Sequence, residues 1–147
     1  MSFNKLVYKT LLCVIIALWS VGLNANASPD GNETDQKLKQ AEGIVNVSPD
    51  EVIVDIGALL KQINPEDKSH RALAMKLLGK AHYFLNNHRQ SLEYYQQSYS
   101  LYMDLGDKNA AGGLLNNIGL IRQSQGDFGT ALKNYQYGAE LMEQSNN

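Results

Sequence analysis

Apolar residues recur three or four positions apart along most of this chain, which is the spacing of one face of an α-helix. The pattern predicts six helices, at about residues 36–46, 48–63, 68–85, 88–105, 108–125 and 128–145. No segment alternates apolar and polar residues with enrichment in Val, Ile and Thr, so we predict no strand. The sequence therefore predicts an all-α fold.

The predicted helix boundaries rest on residues that start or stop a helix. Ser48 is a candidate N-cap, Pro49 suits the first turn, and Glu51 stands three residues after Ser48, as in a capping box. Pro65 cannot continue the helical hydrogen-bond ladder and ends the second helix. The three later breaks each combine a residue that tolerates a left-handed C-cap with a candidate N-cap: Asn86-Asn87, Gly106-Asp107 and Gly126-Asp127.

The second half of the chain repeats itself with a period of 40 residues. The shift superposes small, aromatic and apolar residues: Leu78-Gly79 on Ile118-Gly119, Ser91-Leu92 on Ala131-Leu132, Tyr95 on Tyr135, and Leu101 on Leu141. This indicates a helix–turn–helix unit that is present twice, over residues 68–107 and 108–147. Because a single hairpin cannot bury both of its faces, we expect the units to stack.

A glycine interrupts the first helix of each predicted unit. Gly79 and Gly119 stand mid-helix, where Gly costs about 1 kcal/mol relative to Ala, so we expect another helix to come within a side chain's width. Ser91 and Ala131 would be the matching small residues on the second helix. The tyrosine four residues after each of them would fill the space between one hairpin and the next.

These residues resemble the tetratricopeptide repeat, which has a Leu-Gly pair in its first helix and a small, an aromatic and another small residue in its second. Ser98 and Gly138-Ala139 complete the pattern, and the phrase QGDFGTALKNYQYGAEL is close to the family's usual wording. The resemblance covers residues 68–146. It departs from the family in its longer period, in a first-helix aromatic displaced to Tyr83, and in a missing Pro after the second helix.

The resemblance implies antiparallel hairpins stacked as a short right-handed superhelix, with residues 36–67 as a degenerate N-terminal hairpin that caps the stack. It also implies a concave groove lined by the first helices of the units. The side chains expected to bind a peptide there are Lys76, Lys80, Tyr83, Asn116, Asn117, Leu120 and Gln123.

The groove residues suggest how a peptide would be held. Lys76 and Lys80, one turn apart, would form a positive patch, while neighbouring Asn side chains can hydrogen-bond an extended backbone. Some family members clamp a peptide's C-terminal carboxylate with Lys and Asn, and Lys76 and Asn117 occupy similar places. The alternative is that these lysines and asparagines are ordinary solvated helix residues.

The N-terminal segment has the features of a secretory signal peptide. Lys5 and Lys9 precede an apolar run over residues 11–23, and Ala25-Asn26-Ala27 supplies small residues for cleavage after Ala27. We therefore expect a secreted, periplasmic protein that touches a membrane only if this segment is not cleaved. The apolar run is shorter than the roughly 20 residues of a membrane span, which favours cleavage. Residues 28–35, SPDGNETD, are predicted to be a disordered leader.

Removal of residues 1–27 changes the charge balance. Of 13 basic residues, Lys5 and Lys9 are lost, which leaves 11 against 15 acidic residues and a net charge of −4. This charge disfavours nucleic acid as a partner, because nucleic-acid binding needs clustered positive charge. The only cysteine, Cys13, is lost as well, so packing rather than disulfides must hold the domain together.

The mature chain has no recognisable catalytic or metal-binding motif. His70, His82 and His88 lack the spacing of zinc ligands, and Gly112-Gly113 lacks the Lys-Ser/Thr of a phosphate-binding loop. We therefore expect a non-catalytic protein without metal or cofactor, whose partner is a protein or peptide. Two other functions stay open. One is a periplasmic sensory input region of a longer signalling protein, of the diguanylate cyclase or histidine kinase type. The other is a small ligand carrier or an accessory to a cell-envelope enzyme.

The last predicted helix has an apolar face made of Leu132, Tyr135, Ala139, Leu141 and Met142. Repeat arrays normally close with a polar capping helix, and this helix does not have that character. We therefore expect this hairpin to be covered by a partner, by a second copy of the chain as a homodimer, or by further residues of a longer protein.

Overall fold

The structure, a computed structural model, describes residues 30–145 as six helices. They are α1 (Gly31–Ile44), α2 (Pro49–Gln62), α3 (Lys68–Phe84), α4 (His88–Asp104), α5 (Lys108–Ser124) and α6 (Phe128–Ser145). No strand occurs among residues 30–145, so the predicted all-α class is confirmed. The last four helices lie within one residue of their predicted limits. None of the described helices has the length and apolar character needed to cross a bilayer. The predicted signal peptide, residues 1–27, lies outside the described residues.

Helix α1 begins earlier than the sequence pattern indicates. The predicted disordered leader over residues 28–35 is wrong from Gly31 onward, because these residues form the first turn of the helix. Asp30 is the N-cap, and its side chain accepts a hydrogen bond from the backbone amide of Glu33 at 2.7 Å. Four buried residues at helical spacing then hold this segment against its neighbours: Thr34, Leu38, Ala41 and Val45.

The three turns that follow α3, α4 and α5 share one geometry. Asn86, Gly106 and Gly126 adopt positive φ angles of 58°, 75° and 80°, which confirms the predicted left-handed C-caps. In each turn the next backbone amide donates to the carbonyl five residues earlier at 2.9 Å. The aspartates of the second and third turns, Asp107 and Asp127, then cap the following helix with their side chains.

Two other predicted N-caps have the expected position but not the expected hydrogen bond. Ser48 and Asn87 stand at N-cap positions, but their side chains make no capping hydrogen bond. Pro49, at the start of α2, fixes the backbone angle of the first turn without help from the serine. Asp67 does cap α3, by accepting a hydrogen bond from the backbone amide of His70 at 3.2 Å.

Helices that follow one another in the chain pack together. α3 packs on α4, α4 on α5, and α5 on α6, while α2 packs on α3 and α1 contacts both α2 and α3. Two clusters of buried apolar side chains result. One joins α1, α2 and α3 through residues such as Leu38, Ile56 and Leu78. The other joins α3 to α6 around Tyr95 and Leu114.

Gly79 and Gly119 have equivalent neighbours in the two hairpins. A Cβ on Gly79 would stand 2.5 Å from a ring carbon of Tyr95, and a Cβ on Gly119 would stand 2.5 Å from a ring carbon of Tyr135. The expected close approach is therefore made by a tyrosine ring of the same hairpin, not by the backbone of another helix. Tyr95 is only 2% exposed, so its ring is enclosed on its other sides as well.

Backbones do approach each other where Gly112 in α5 meets Gly138 in α6. A Cβ on Gly112 would stand 2.6 Å from the carbonyl oxygen of Gly138, and a Cβ on Gly138 would stand 2.8 Å from that of Gly112. The equivalent pair in the first hairpin is Ala72 and Ser98, and there the Ser98 hydroxyl donates to the Ala72 carbonyl at 2.7 Å. At these equivalent positions, a side-chain hydrogen bond joins the helices of the first hairpin and a direct approach of glycine backbones joins those of the second.

The neighbouring glycines of α5 provide a matched test of this packing. We expect Gly112→Ala to lower the free energy of unfolding by about 1–3 kcal/mol, because the new methyl group meets a backbone carbonyl that cannot turn away. Gly113→Ala should raise it by up to about 1 kcal/mol, because Ala is the better helix former and the nearest atom would be 3.8 Å away. Urea denaturation of both variants measures the difference, and changes of the same sign would contradict this account.

His70 connects α1 to the start of α3. Its Nε2 lies 3.0 Å from Oδ1 of Asp35, and its Nδ1 lies 2.5 Å from Oδ2 of Asp67. The hydrogen bond with Asp67 has the largest effect and raises the pKa of His70; burial lowers the pKa, and the bond with Asp35 raises it further. The net result is a raised pKa, because the protonated ring can donate to both carboxylates at once.

The raised pKa of His70 predicts that the protein loses stability as the pH rises above about 6.5. The contribution of His70 is complete below about pH 6.5, its pKa in the unfolded chain, and is lost as the pH rises through the higher pKa of the folded chain. Burial lowers the pKa of His82 in the folded chain. His82 therefore lowers the stability of the fold as the pH falls below about 6.5 and does not change it above that pH. Urea midpoints should therefore fall above about pH 6.5. We expect His70→Gln to remove this decline and His82→Gln to leave it in place.

Candidate functional site

A cleft of about 470 Å³ opens between α3 and α5, the first helices of the two hairpins. Each helix contributes residues spaced four and then three positions apart, which places them on one face. From α3 these are Lys76, Lys80 and Tyr83, and from α5 they are Gly113, Asn117 and Leu120. Because the repeat places α3 and α5 as successive first helices, the cleft is a direct product of the duplication.

The structure brings five of the seven predicted groove residues to this cleft. They are Lys76, Lys80, Tyr83, Asn117 and Leu120. Leu77 and Phe84, which face the same space, extend the wall that α3 contributes. For most of these residues, the resemblance therefore predicted which face of α3 and of α5 lines the cleft.

Asn116 and Gln123 do not line the cleft. Asn116 faces α6, since its Oδ1 would stand 2.9 Å from a Cβ on Gly138. Gln123 accepts a hydrogen bond from the hydroxyl of Tyr135 at 2.8 Å, which also ties it to α6. Both side chains serve the α5–α6 hairpin, so the prediction that they line the groove with Asn117 is corrected.

The charges of the cleft are unevenly distributed. Lys76 Nζ lies 3.9 Å from Oε1 of Glu42, an α1 residue on the cleft wall, and both side chains are partly exposed. An exposed ion pair of this kind stabilises the fold by only about 0–1 kcal/mol, so another anion can readily replace Glu42 beside Lys76. Among residues 30–145 Lys80 makes no ion pair, so its ammonium group is the cation best placed to meet an incoming anion.

The other end of the cleft is apolar and aromatic. Phe84 and Leu120 are 41% and 45% exposed, so both present apolar surface to solvent. Tyr83 packs edge-on against Phe84 with ring centroids 5.8 Å apart, which holds both rings in place. Tyr95 is buried behind them, and this burial raises the pKa of its hydroxyl above the ordinary value.

Glu42 and Ala110 are among the cleft-lining residues that the sequence did not predict. Glu42 lies in α1, outside the repeated segment, and no spacing relates it to Lys76. Ala110 precedes Gly113 by one helical turn and widens the cleft by its small size. Ala110 lies three residues before Gly113 and so on the same face of α5, which is a signal that the sequence contains; nothing in the repeated segment points to Glu42.

A second cleft, of about 350 Å³, lies between α1 and α2. Its floor is apolar and includes Ile44, Val52 and Ile56. Lys37 stands at its rim, but its ammonium group already pairs with Glu33 at 2.6 Å. This cleft offers apolar contact without the combination of cation, amide and aromatic groups found between α3 and α5.

The histidines have separate surroundings. His70 is held by two aspartates, and His82 stacks on Tyr94 with ring centroids 5.5 Å apart. In the part of the chain that the structure describes, no group of three His, Cys, Asp or Glu side chains is placed to hold a metal ion. The α3–α5 cleft offers cationic, amide and aromatic groups, each of which can bind a ligand non-covalently.

Comparison of the chain with protein-family models, with curated proteins and with solved structures found no match.

Proposed function

We propose that the protein is a non-catalytic binding module that takes an extended peptide segment of another protein into the cleft between α3 and α5. The observation that carries this proposal is the convergence of Lys80, Asn117 and the Tyr83–Phe84–Leu120 surface on one open cleft. The resemblance to the tetratricopeptide repeat supports it, since the members of that family that bind peptides use the same side of the first helices.

The cleft defines the chemistry of the peptide. An acidic side chain or a C-terminal carboxylate would meet Lys80 and, by displacing Glu42, Lys76. The Asn117 amide can both donate to and accept from the peptide backbone. An aliphatic or aromatic side chain a few residues away would cover Phe84 and Leu120, which removes exposed apolar surface from water. We therefore expect an acidic residue followed or preceded by an apolar one.

Selection from a random peptide library displayed on phage tests this proposal. The chain is expressed from its full sequence, purified as the cell processes it, and used as the bait. The selected peptides should share the acidic and apolar pair, and calorimetric titration should show binding to one site. We expect Lys80→Glu to weaken the best peptide at least about tenfold, as the loss of a charge-assisted contact and its replacement by repulsion require.

Lys133→Glu is the matched control, because it makes the same charge change on the exposed surface of α6. It should leave the affinity within about twofold of the unchanged chain, since a distant exposed charge is screened. Helicity measured by circular dichroism shows that both variants are folded. Equal weakening by both changes, or selected peptides without an acidic residue, would contradict the proposal.

A small molecule is the second candidate ligand, as in the carrier function left open above. The volume of the cleft favours it, because about 470 Å³ lies within the usual range of small-molecule sites, roughly 300–1,000 Å³. Native mass spectrometry separates the two ideas. A bound mass of a few hundred daltons that Lys80→Glu removes would support a carrier, and a chain with no such mass favours the peptide.

The proposal includes export to the periplasm, which is supported by the signal-like features of residues 1–27. Cleavage after Ala27 would leave Asp30, the N-cap of α1, within the mature chain. Mass spectrometry of the protein from a bacterial envelope fraction should therefore find Ser28 at the N-terminus. Ala27→Asp should block processing, because the signal peptidase requires a small residue there. A chain that starts at Met1 in the cytoplasmic fraction would contradict export.

A further inference from the structure

Glu42 reaches the α3–α5 cleft from α1, a helix outside the repeated segment. Its neighbour Ala41 is buried, as are Leu38 and Val45, and all three belong to the first core cluster. These residues fix the side of α1 that packs on α2 and α3, so the backbone of Glu42 has a set position. The Glu42 side chain is 57% exposed and ends at the wall of the cleft.

The two lysines of the cleft differ in their surroundings. Lys76 Nζ lies 3.9 Å from Oε1 of Glu42, whereas Lys80 has no ion-pair partner in the part of the chain that the structure describes. The two lysines are four positions apart in α3, which separates them by about 6 Å along the helix axis. The cleft therefore presents two neighbouring cations, and the chain's own carboxylate already neutralises one of them.

We propose that Glu42 is a specificity-determining residue, which limits the cleft to peptide segments that carry one acidic group. The proposal rests on the function proposed above, because it concerns a peptide bound in that cleft. A peptide carboxylate beside Lys80 forms a new ion pair. A second carboxylate can replace Glu42 beside Lys76, but it exchanges one exposed ion pair for another, so little affinity is gained.

Glu42 also opposes a second acidic group after it has been displaced. Its backbone is held by the core, so its carboxylate stays close to Lys76 and repels another carboxylate there. The surroundings of Tyr102 in α4 show where this charge acts: burial raises the pKa of the Tyr102 hydroxyl, and the charges of Asp107 and Glu42 raise it further. Glu42 therefore places its negative charge on the side of α1 that faces the other helices.

The spacing of the lysines defines the peptides that gain nothing while Glu42 is present. In an extended chain, residues two positions apart point to the same side and lie about 6.6–6.8 Å apart. That distance is close to the separation of about 6 Å between Lys76 and Lys80 along α3. A peptide that lies along α3 with acidic residues two positions apart can therefore reach both cations.

Two synthetic peptides test the proposal. The one-acid peptide is the library peptide that binds the unchanged chain best, with a single acidic residue retained. The two-acid peptide carries an additional Asp two positions away, and it is made with the Asp on either side. Calorimetric titration at low ionic strength should give both peptides the same affinity for the unchanged chain, within about twofold. Glu42→Gln should bind the two-acid peptide about three- to fivefold more tightly than the one-acid peptide, which is the size of one exposed ion pair.

Two further variants identify the source of this preference. Glu42→Gln combined with Lys76→Gln should abolish it, because the cation that Glu42→Gln sets free is then gone. Glu140→Gln is the matched control: it removes the same charge from an exposed position on α6, and the two peptides should stay equal. Circular dichroism shows that each variant has kept its helices.

A preference of the unchanged chain for the two-acid peptide would overturn the proposal, because Glu42 would then not limit the cleft. So would a Glu42→Gln variant that binds both peptides equally, whether or not it binds them more tightly than the unchanged chain does. An equal gain would mean that Glu42 acts only through the net charge of the protein. If Lys80→Glu leaves the affinity for the one-acid peptide unchanged, the function proposed above is overturned, and this proposal with it.

Discussion

The contact between a mid-helix glycine and a tyrosine ring sets the geometry of both hairpins. Gly79 receives the ring of Tyr95 and Gly119 that of Tyr135, each at a distance that a methyl group would already occupy. The missing side chain lets the ring lie flat between two helices that would otherwise be forced apart. A glycine inside a helix costs about 1 kcal/mol, and here the packing of a large aromatic ring offsets that cost. Because the contact recurs after 40 residues, it brings α3 and α5 into equivalent positions, and the cleft between them follows.

Much of this fold can be predicted from local features of the sequence. The last four helices end at residues whose conformational preferences are strong, and Gly106 and Gly126 have the expected positive φ angles. The prediction of secondary structure was wrong where the composition of a segment is typical of a different structure. The segment SPDGNETD looks like a loop, yet Asp30 caps a helix and Thr34 starts a buried stripe that only the folded neighbours reveal. Ser48 had the right type and spacing for a cap, but Pro49 makes the first turn of α2 without it.

Some residues of the candidate site could likewise be predicted from the sequence, and others could not. Lys76, Lys80, Tyr83, Asn117 and Leu120 were placed correctly because the resemblance to the tetratricopeptide repeat implies which face of each first helix lines the groove. Asn116 was not, because neighbouring residues on a helix point about 100° apart, so one of two consecutive asparagines must face elsewhere. Glu42 could not be predicted at all. Its position depends on how α1 lies across α3, and nothing in the repeated segment encodes that contact.

The difference between the two hairpins has a consequence for how the chain assembles itself. Similar repeats within one chain can pair wrongly, which is a characteristic hazard of such proteins. Here α4 presents Ser98 to Ala72, whereas α6 presents Gly138 to Gly112, with backbones too close for any side chain. If α5 took α4 as its hairpin partner, Ser98 would hold the two backbones further apart than Gly138 does, and the close approach at Gly112 would be lost. If α3 took α6, the Ala72 carbonyl would lose its hydroxyl donor. Each first helix thus discriminates between two second helices of closely similar pattern, and this protects a duplicated sequence against exchange of its halves.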